Sequence, residues 1–150
     1  MMRRWNNLVR PEDTVYYIGD FAFATKDRIR ELLGYLNGTK HLIRGNHDRH
    51  HSDAFWRSAG FATVQEHLRH VFPELGTGVY MCHYPEFWQH SGVQIHGHVH
   101  NNQGMNPLKA YKTSGQIQVN VAVEVWAYAP ASITEIVALV DKQLAEECEP

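Results

Sequence analysis

Four short apolar runs in this chain each end in side chains able to bind a metal or move a proton, and that recurrence restricts the fold more than any other feature. Val15-Tyr16-Tyr17-Ile18 runs into Gly19-Asp20, and His41-Leu42-Ile43-Arg44 into Gly45-Asn46-His47-Asp48. Val79-Tyr80-Met81-Cys82 runs into His83, and Val93-Gln94-Ile95 into His96-Gly97-His98-Val99-His100. A short continuous apolar run stopped by Gly-Asp reads as a strand buried on both faces. Between the first two strands Thr25 is an N-cap, Ile29, Leu32, Leu33 and Leu36 form one helical stripe, and Asn37-Gly38 is a stop signal. Strand, helix, strand with polar loops at corresponding ends is the grammar of an α/β sheet whose ligands collect beyond the carboxyl ends of its strands.

The flanking segments are read the same way. Met1, Trp5, Leu8 and Val9 share one helical face, closed by a turn at Pro11-Glu12-Asp13. Phe55 and Trp56 suggest a short helix, and Gln65 to Gly78 reads as mostly loop with one helical turn. Gln116 to Val125 alternates, with Ile117, Val119, Val121, Val123 and Val125 opposite Gln116, Gln118, Asn120 and Glu124, which predicts a long strand with one wetter face. Ser132 and Glu135 form a capping box ahead of a helix whose stripe is Ile133, Ile136, Val137, Val140 and Leu144. Asn101 to Asn106 reads as a surface loop, and Glu146, Glu147 and Glu149 as a solvent-facing tail.

The length of 150 residues suits one domain, residues 1–150, and the 43% hydrophobic and 20% charged composition excludes disorder and coiled coil. A net charge of −2 supplies no basic field, so neither nucleic acid nor an anionic membrane is an expected stable partner, and an anionic substrate must be held locally. Cys82 and Cys148 lack metal-type pairing, and no signal peptide or long apolar run is present, so the expected location is the reducing cytoplasm. The departure from average composition is histidine, 11 of 150, which directs attention to metal chemistry.

His-x-His on an extended segment puts both imidazoles on one side, but composition alone supplies about 0.8 such pairs. Gly-His-x-His is expected about 0.06 times and Gly-Asn-His-Asp about 0.002 times by chance, so composition does not explain finding both. Asp20, Asn46, His83, His98 and His100 together offer one carboxylate, one amide oxygen and three imidazoles. That donor set suits Mn²⁺, Fe²⁺ or Zn²⁺ rather than Ca²⁺ or a thiolate site.

Gly19-Asp20, Gly45-Asn46-His47-Asp48, Met81-Cys82-His83-Tyr84-Pro85 and Gly97-His98-x-His100 resemble, in order and approximate spacing, the calcineurin-like metallophosphoesterases over roughly residues 1–130. The resemblance implies a four-layer α/β/β/α sandwich of mixed sheets with two metal ions on strand-end loops. It implies that Asp20 bridges the ions, that Asn46, His83 and His98 complete the second site, and that His100 binds the first. His47 would face the substrate, with Asp48 orienting its ring. The implied activity is hydrolysis of a small phosphomonoester or phosphodiester by a metal-bound hydroxide, which two divalent ions about 3.5 to 4 Å apart generate near neutral pH. An imidazole oriented by a carboxylate then assists the leaving oxygen.

Members of that family open with a strand ending in Asp-x-His, and the expectation is that this chain lacks the Asp-x-His motif altogether. The expectation is therefore a shortened member, with its first metal site reduced to Asp20 and His100 and a sheet edge left unpaired. An open edge favours a homo-oligomer formed through it. The alternative function is a catalytically impaired relative acting as a metal-binding, ligand-binding or interaction module. Arg44 and Arg49 flank the Gly-Asn-His-Asp loop but read as solvated. His41, His50, His51, His67, His70 and His90 carry no partner pattern, and His96 stands behind the ligands. Cys82, Trp56, Trp88 and Trp126 read as core.

Overall fold

The computed structural model describes residues 2–85, 92–101, 111–113 and 116–146, and over these the chain is mixed α/β, with two sheets and four helices. Helix α1 (Met2–Leu8) leads to strand β1 (Thr14–Tyr17), helix α2 (Lys26–Tyr35) and strand β2 (Thr39–Ile43). A 3-10 turn at His47–His50 precedes α3 (Asp53–Ala59) and β3 (Thr63–Gln65). Strands β4 (His67–Phe72), β5 (Thr77–Cys82), β6 (Gly92–His96), β7 (Tyr111–Thr113) and β8 (Gln116–Asn120) follow, then helix α4 (Ile133–Glu146). The first sheet has the order β1-β2-β3, all parallel. The second has the order β4-β5-β6-β8-β7, with β5, β6 and β8 parallel and the two outer strands antiparallel.

Local chemistry explains the helices. The Thr25 hydroxyl accepts from the Arg28 amide at 3.4 Å, and α2 buries Ile29 and Leu33, whose removal from water contributes about 1.5–3 kcal/mol each. At α4 the capping box closes both ways: the Glu135 carboxylate accepts from Ser132 N at 2.8 Å, and Ser132 Oγ accepts from Glu135 N at 3.2 Å.

Two apolar cores hold the layers together. Trp5, Ile29, Leu33, Leu42, Phe55, Trp56 and Phe61 fill the space between helices α1 to α3 and one face of the first sheet. Tyr16, Ile18 and Ile43 from its other face join Val79, Met81, Val93, Ile95, Ile117 and Val119 of the second sheet. Ile136 and Val140 of α4 belong to this second core, so α4 packs with the apolar side of the second sheet rather than over its far side. That far side carries Tyr80, Cys82, Gln94, His96, Gln116 and Gln118, all buried.

Two readings of the sequence are corrected. Gln65 to Gly78 is not mostly loop: β4 occupies its centre, and the expected helical turn shrinks to Pro73–Leu75. Leu68, His70 and Phe72 alternate with exposed His67, Arg69 and Val71, a period-2 pattern masked because a histidine holds a half-buried position. The long strand from Gln116 stops at Asn120, where the side-chain oxygen accepts from Ala122 N at 2.9 Å and turns the chain. Its glutamine face is not wetter, because Gln118 Nε2 donates to Gln94 Oε1 at 2.7 Å inside the protein. Trp88, His90, Cys148, Glu147, Glu149 and most of the expected loop Asn101 to Asn106 lie outside the described residues. No helix among the described residues is long and apolar enough to cross a membrane.

Candidate metal centre

Because β1, β2, β5 and β6 deliver their carboxyl ends to one rim, Asp20, Asn46, His83 and His98 meet there although they are spread over 79 positions of sequence. Among the described residues, Asp20, His83 and His98 form a group whose ligand atoms all lie within 4.8 Å of one another. His83 is its centre and is 2% exposed. Its Nδ1 donates to the Ile18 carbonyl at 2.9 Å. A carbonyl oxygen only accepts, so the proton of the neutral ring is on Nδ1 and Nε2 carries a lone pair. That lone pair faces Asp20 Oδ2 at 3.3 Å, Asn46 Oδ1 at 3.2 Å and His98 Nδ1 at 3.1 Å. Electron-rich atoms this close repel unless a cation or shared proton lies among them. The donor set of carboxylate, amide oxygen and two imidazoles fits a divalent transition ion.

The loops that carry these side chains are strained and tightly packed. Asp20, His98 and His100 adopt φ values of 56°, 64° and 49°, in the left-handed region, where a non-glycine residue costs about 1–2 kcal/mol. Strain of this kind persists where surrounding structure enforces it and clusters at functional sites. Gly45 permits the close approach: a Cβ there would lie 2.7 Å from Asp20 N and 2.8 Å from Asp20 Cγ. Burial pushes the His98 imidazole below its ordinary pKa, the His83 ring adds to the shift, Asp20 opposes it, and His100 and His47 push further in the same direction. Four imidazoles and a carboxylate therefore share one electrostatic environment.

Asp48 does something other than orient the His47 ring. Its carboxylate is 2% exposed and accepts from the backbone amides of Asp20 at 2.7 Å, Gly45 at 2.8 Å and Phe21 at 3.0 Å. Adjacent residues on a tight helical turn point in different directions, so neighbours in sequence are not partners in space. Asp48 thus clamps the Asp20 loop to the Gly45 loop. His47 is exposed, donates its backbone amide to Asp20 Oδ1 at 2.9 Å, and packs its ring 4.5 Å from that of Phe23. The spacing Asp-x-His does occur at Asp48-Arg49-His50, on this 3-10 turn, where the inward clamp occupies the carboxylate.

His100 stands apart from the close group. Its Nδ1 pairs with Glu124 Oε1 at 2.6 Å, and Asn120 Nδ2 donates to its carbonyl at 2.7 Å. Glu124 falls on the polar face of the alternating Gln116–Val125 pattern, and nothing in that pattern marks it as a partner of His100. The ring of Tyr84, which follows His83 in the chain, lies 4.5 Å from that of His98.

The remaining candidates are structural. Arg44 is partly buried and pairs with Glu66 and with Asp53 at 2.9 Å, while Arg49 pairs with Glu66 at 2.8 Å and stays solvent-exposed. Burial alone would raise the Glu66 carboxyl, but hydrogen bonds from Arg44 and Arg49 hold it below its ordinary value. His41 stacks on Tyr16, His70 packs against Phe72, and His51 against Phe55. His96 is buried with Nδ1 at 3.0 Å from the Gly97 carbonyl.

No family model matches this sequence. It is 33% identical over 152 residues to an uncharacterized protein, MJ1445, of Methanocaldococcus jannaschii, spanning 95% of this chain and 74% of the relative. The chain belongs to the same family as that archaeal protein. It is also 28% identical over 156 residues to the Gene 66 protein of Mycobacterium phage L5, covering 84% of this chain and 72% of the phage protein. The corresponding protein of Mycobacterium phage D29 is 26% identical over 149 residues, covering 81% and 72%. No solved structure matches.

Proposed function

We propose that this chain is a metal-dependent phosphoesterase of the calcineurin-like kind, hydrolysing a phosphomonoester or phosphodiester on its mixed α/β fold of two sheets. The observation that carries the reading is the convergence of Asp20 Oδ2, Asn46 Oδ1 and His98 Nδ1 on the His83 Nε2 lone pair, from four separate strand ends. Asp20, Asn46, His83 and His98 are the residues that would hold a Mn²⁺, Fe²⁺ or Zn²⁺ ion, and His100 lies outside their close group. Such an ion, when bound, polarises a phosphoryl oxygen and lowers the pKa of water. The chain's own contributions are separate from that. The Asp48 clamp fixes the carboxylate of Asp20 through the backbone. The exposed His47 ring, next to this group, is available to donate a hydrogen bond or proton to the leaving oxygen of the ester.

A second reading is a metal- or ligand-binding module without turnover, and the position of His100 outside the close group favours it. Turnover of p-nitrophenyl phosphate and bis(p-nitrophenyl) phosphate with added Mn²⁺, measured alongside ions bound per chain, separates the two. The enzyme reading expects ester hydrolysis that Asp20→Ala abolishes together with metal binding, and that His47→Ala abolishes while metal is retained. Bound metal with no turnover of either ester supports the module, and equal metal loss in both variants refutes the roles given to Asp20 and His47.

A further inference from the structure

We infer that Glu124 is a positioning residue at the rim of this site, holding the His100 ring with its Nε2 open as an extra cation-binding position. The inference rests on the cation-site reading above and extends it to a residue outside the motifs. The 2.6 Å separation of His100 Nδ1 from Glu124 Oε1 is a charge-assisted hydrogen bond, too short for an ion to sit between the two atoms. The proton of that bond lies on or next to Nδ1, so the lone pair of the neutral ring is on Nε2, the atom free to act as a ligand. Carboxylates that bind the far nitrogen of a ligating histidine fix its tautomer and raise its basicity.

The surrounding loops hold Glu124 in place for this role. Asn120 at the end of β8 donates to the His100 carbonyl at 2.7 Å, accepts from Ala122 N at 2.9 Å, and receives Trp126 Nε1 on its own carbonyl at 2.9 Å. The turn that follows, with Ala127 and Tyr128 at φ 52° and 60°, is closed by Tyr128 N to Val123 O at 2.7 Å and tied to α1 by Arg4 on the Ala127 carbonyl. Glu124 therefore sits on a braced turn that shares one anchor, Asn120, with the His100 backbone.

The test is Mn²⁺ titration by calorimetry on the whole chain and its Glu124→Ala and Glu124→Gln variants, with histidine ¹⁵N spectra of the metal-free proteins. The wild-type spectrum is expected to show His100 with its Nδ1 partnered and Nε2 unprotonated. Glu124→Ala should weaken one class of Mn²⁺ binding by 10–100-fold. Binding dependent on Asp20, Asn46, His83 and His98 should stay within threefold. Glu124→Gln, which keeps an acceptor of the same shape, should retain the tautomer and recover part of the affinity, a rescue that mere loss of packing would not produce. A wild-type His100 protonated on Nε2 overturns the inference, as does unchanged Mn²⁺ binding in Glu124→Ala. If Glu124→Ala does not fold, the wild-type tautomer and the Glu124→Gln titration still decide it. Absence of any Mn²⁺ binding to wild type refutes the underlying cation-site reading, a different result from two-site binding that ignores Glu124.

Discussion

Replacing Gly45 by alanine tests whether close backbone approach is what assembles the metal-type group. The added Cβ would stand 2.7 Å from Asp20 N, and ordinary contact begins at 3.4 Å, so the two loops must part by about 0.7 Å or more. Metal–ligand distances tolerate about ±0.2 Å, so a movement of that size removes Asp20 from any coordination sphere shared with His83. Misplacement on the scale of 1 Å costs on the order of 100-fold, or about 2.7 kcal/mol. The backbone of Gly45 has no left-handed φ, so alanine adds steric pressure without conformational strain. Its amide also donates to Asp48 at 2.8 Å, so parting the loops loosens the clamp as well. Calorimetric titration with Mn²⁺ should therefore show about 100-fold weaker binding in Gly45→Ala, while far-ultraviolet circular dichroism stays that of the folded chain. Binding within threefold of wild type would refute the reasoning, because the site would then not depend on contact between these loops.

Other outcomes follow from single groups. Asp48→Asn leaves at least one of three buried backbone amides facing a second donor, which should cost about 2–3 kcal/mol and lower the melting temperature by about 4–12 °C. Gly34→Ala lies in α2 with nothing within 4 Å of the new Cβ, so it should raise stability by about 0.8–1 kcal/mol without altering Mn²⁺ binding, as a thermal melt and a titration would show. The Glu66 carboxyl is held below its ordinary value, so its pairing with Arg44 and Arg49 stabilises the protein fully above about pH 4.5 and is lost as pH falls through the folded value. Glu66→Gln should flatten that acid limb by less than about 1 kcal/mol, since these side chains are partly exposed, and an unchanged acid-denaturation profile would contradict the pairing.

Where local pattern and chemistry agree, the sequence is legible. The strands ending at Tyr17, Ile43, Cys82 and His96 stand out because each apolar run stops at a polar loop, and the caps of α2 and α4 because Thr25 and Ser132 have the partners their spacing requires. Meeting of Asp20, Asn46, His83 and His98 was legible for the same reason, since parallel strands bring their carboxyl ends to one rim. Other features depended on direction or on long-range contact. Alternation continues past Asn120 in the sequence, but the side chain of Asn120 turns the backbone and ends the ladder. Asp48 follows His47 in sequence and points inward, a difference that spacing does not encode. The His100–Glu124 pair joins residues 24 apart through a turn whose shape depends on Asn120 and Trp126.

Anomalous diffraction at the manganese edge, from crystals grown with Mn²⁺, tests the central claim most directly. The account predicts a peak within about 2.0–2.4 Å of donor atoms from Asp20, Asn46, His83 and His98 together. An empty position among those four side chains, with Mn²⁺ absent or bound at unrelated histidines such as His67 or His70, would contradict it.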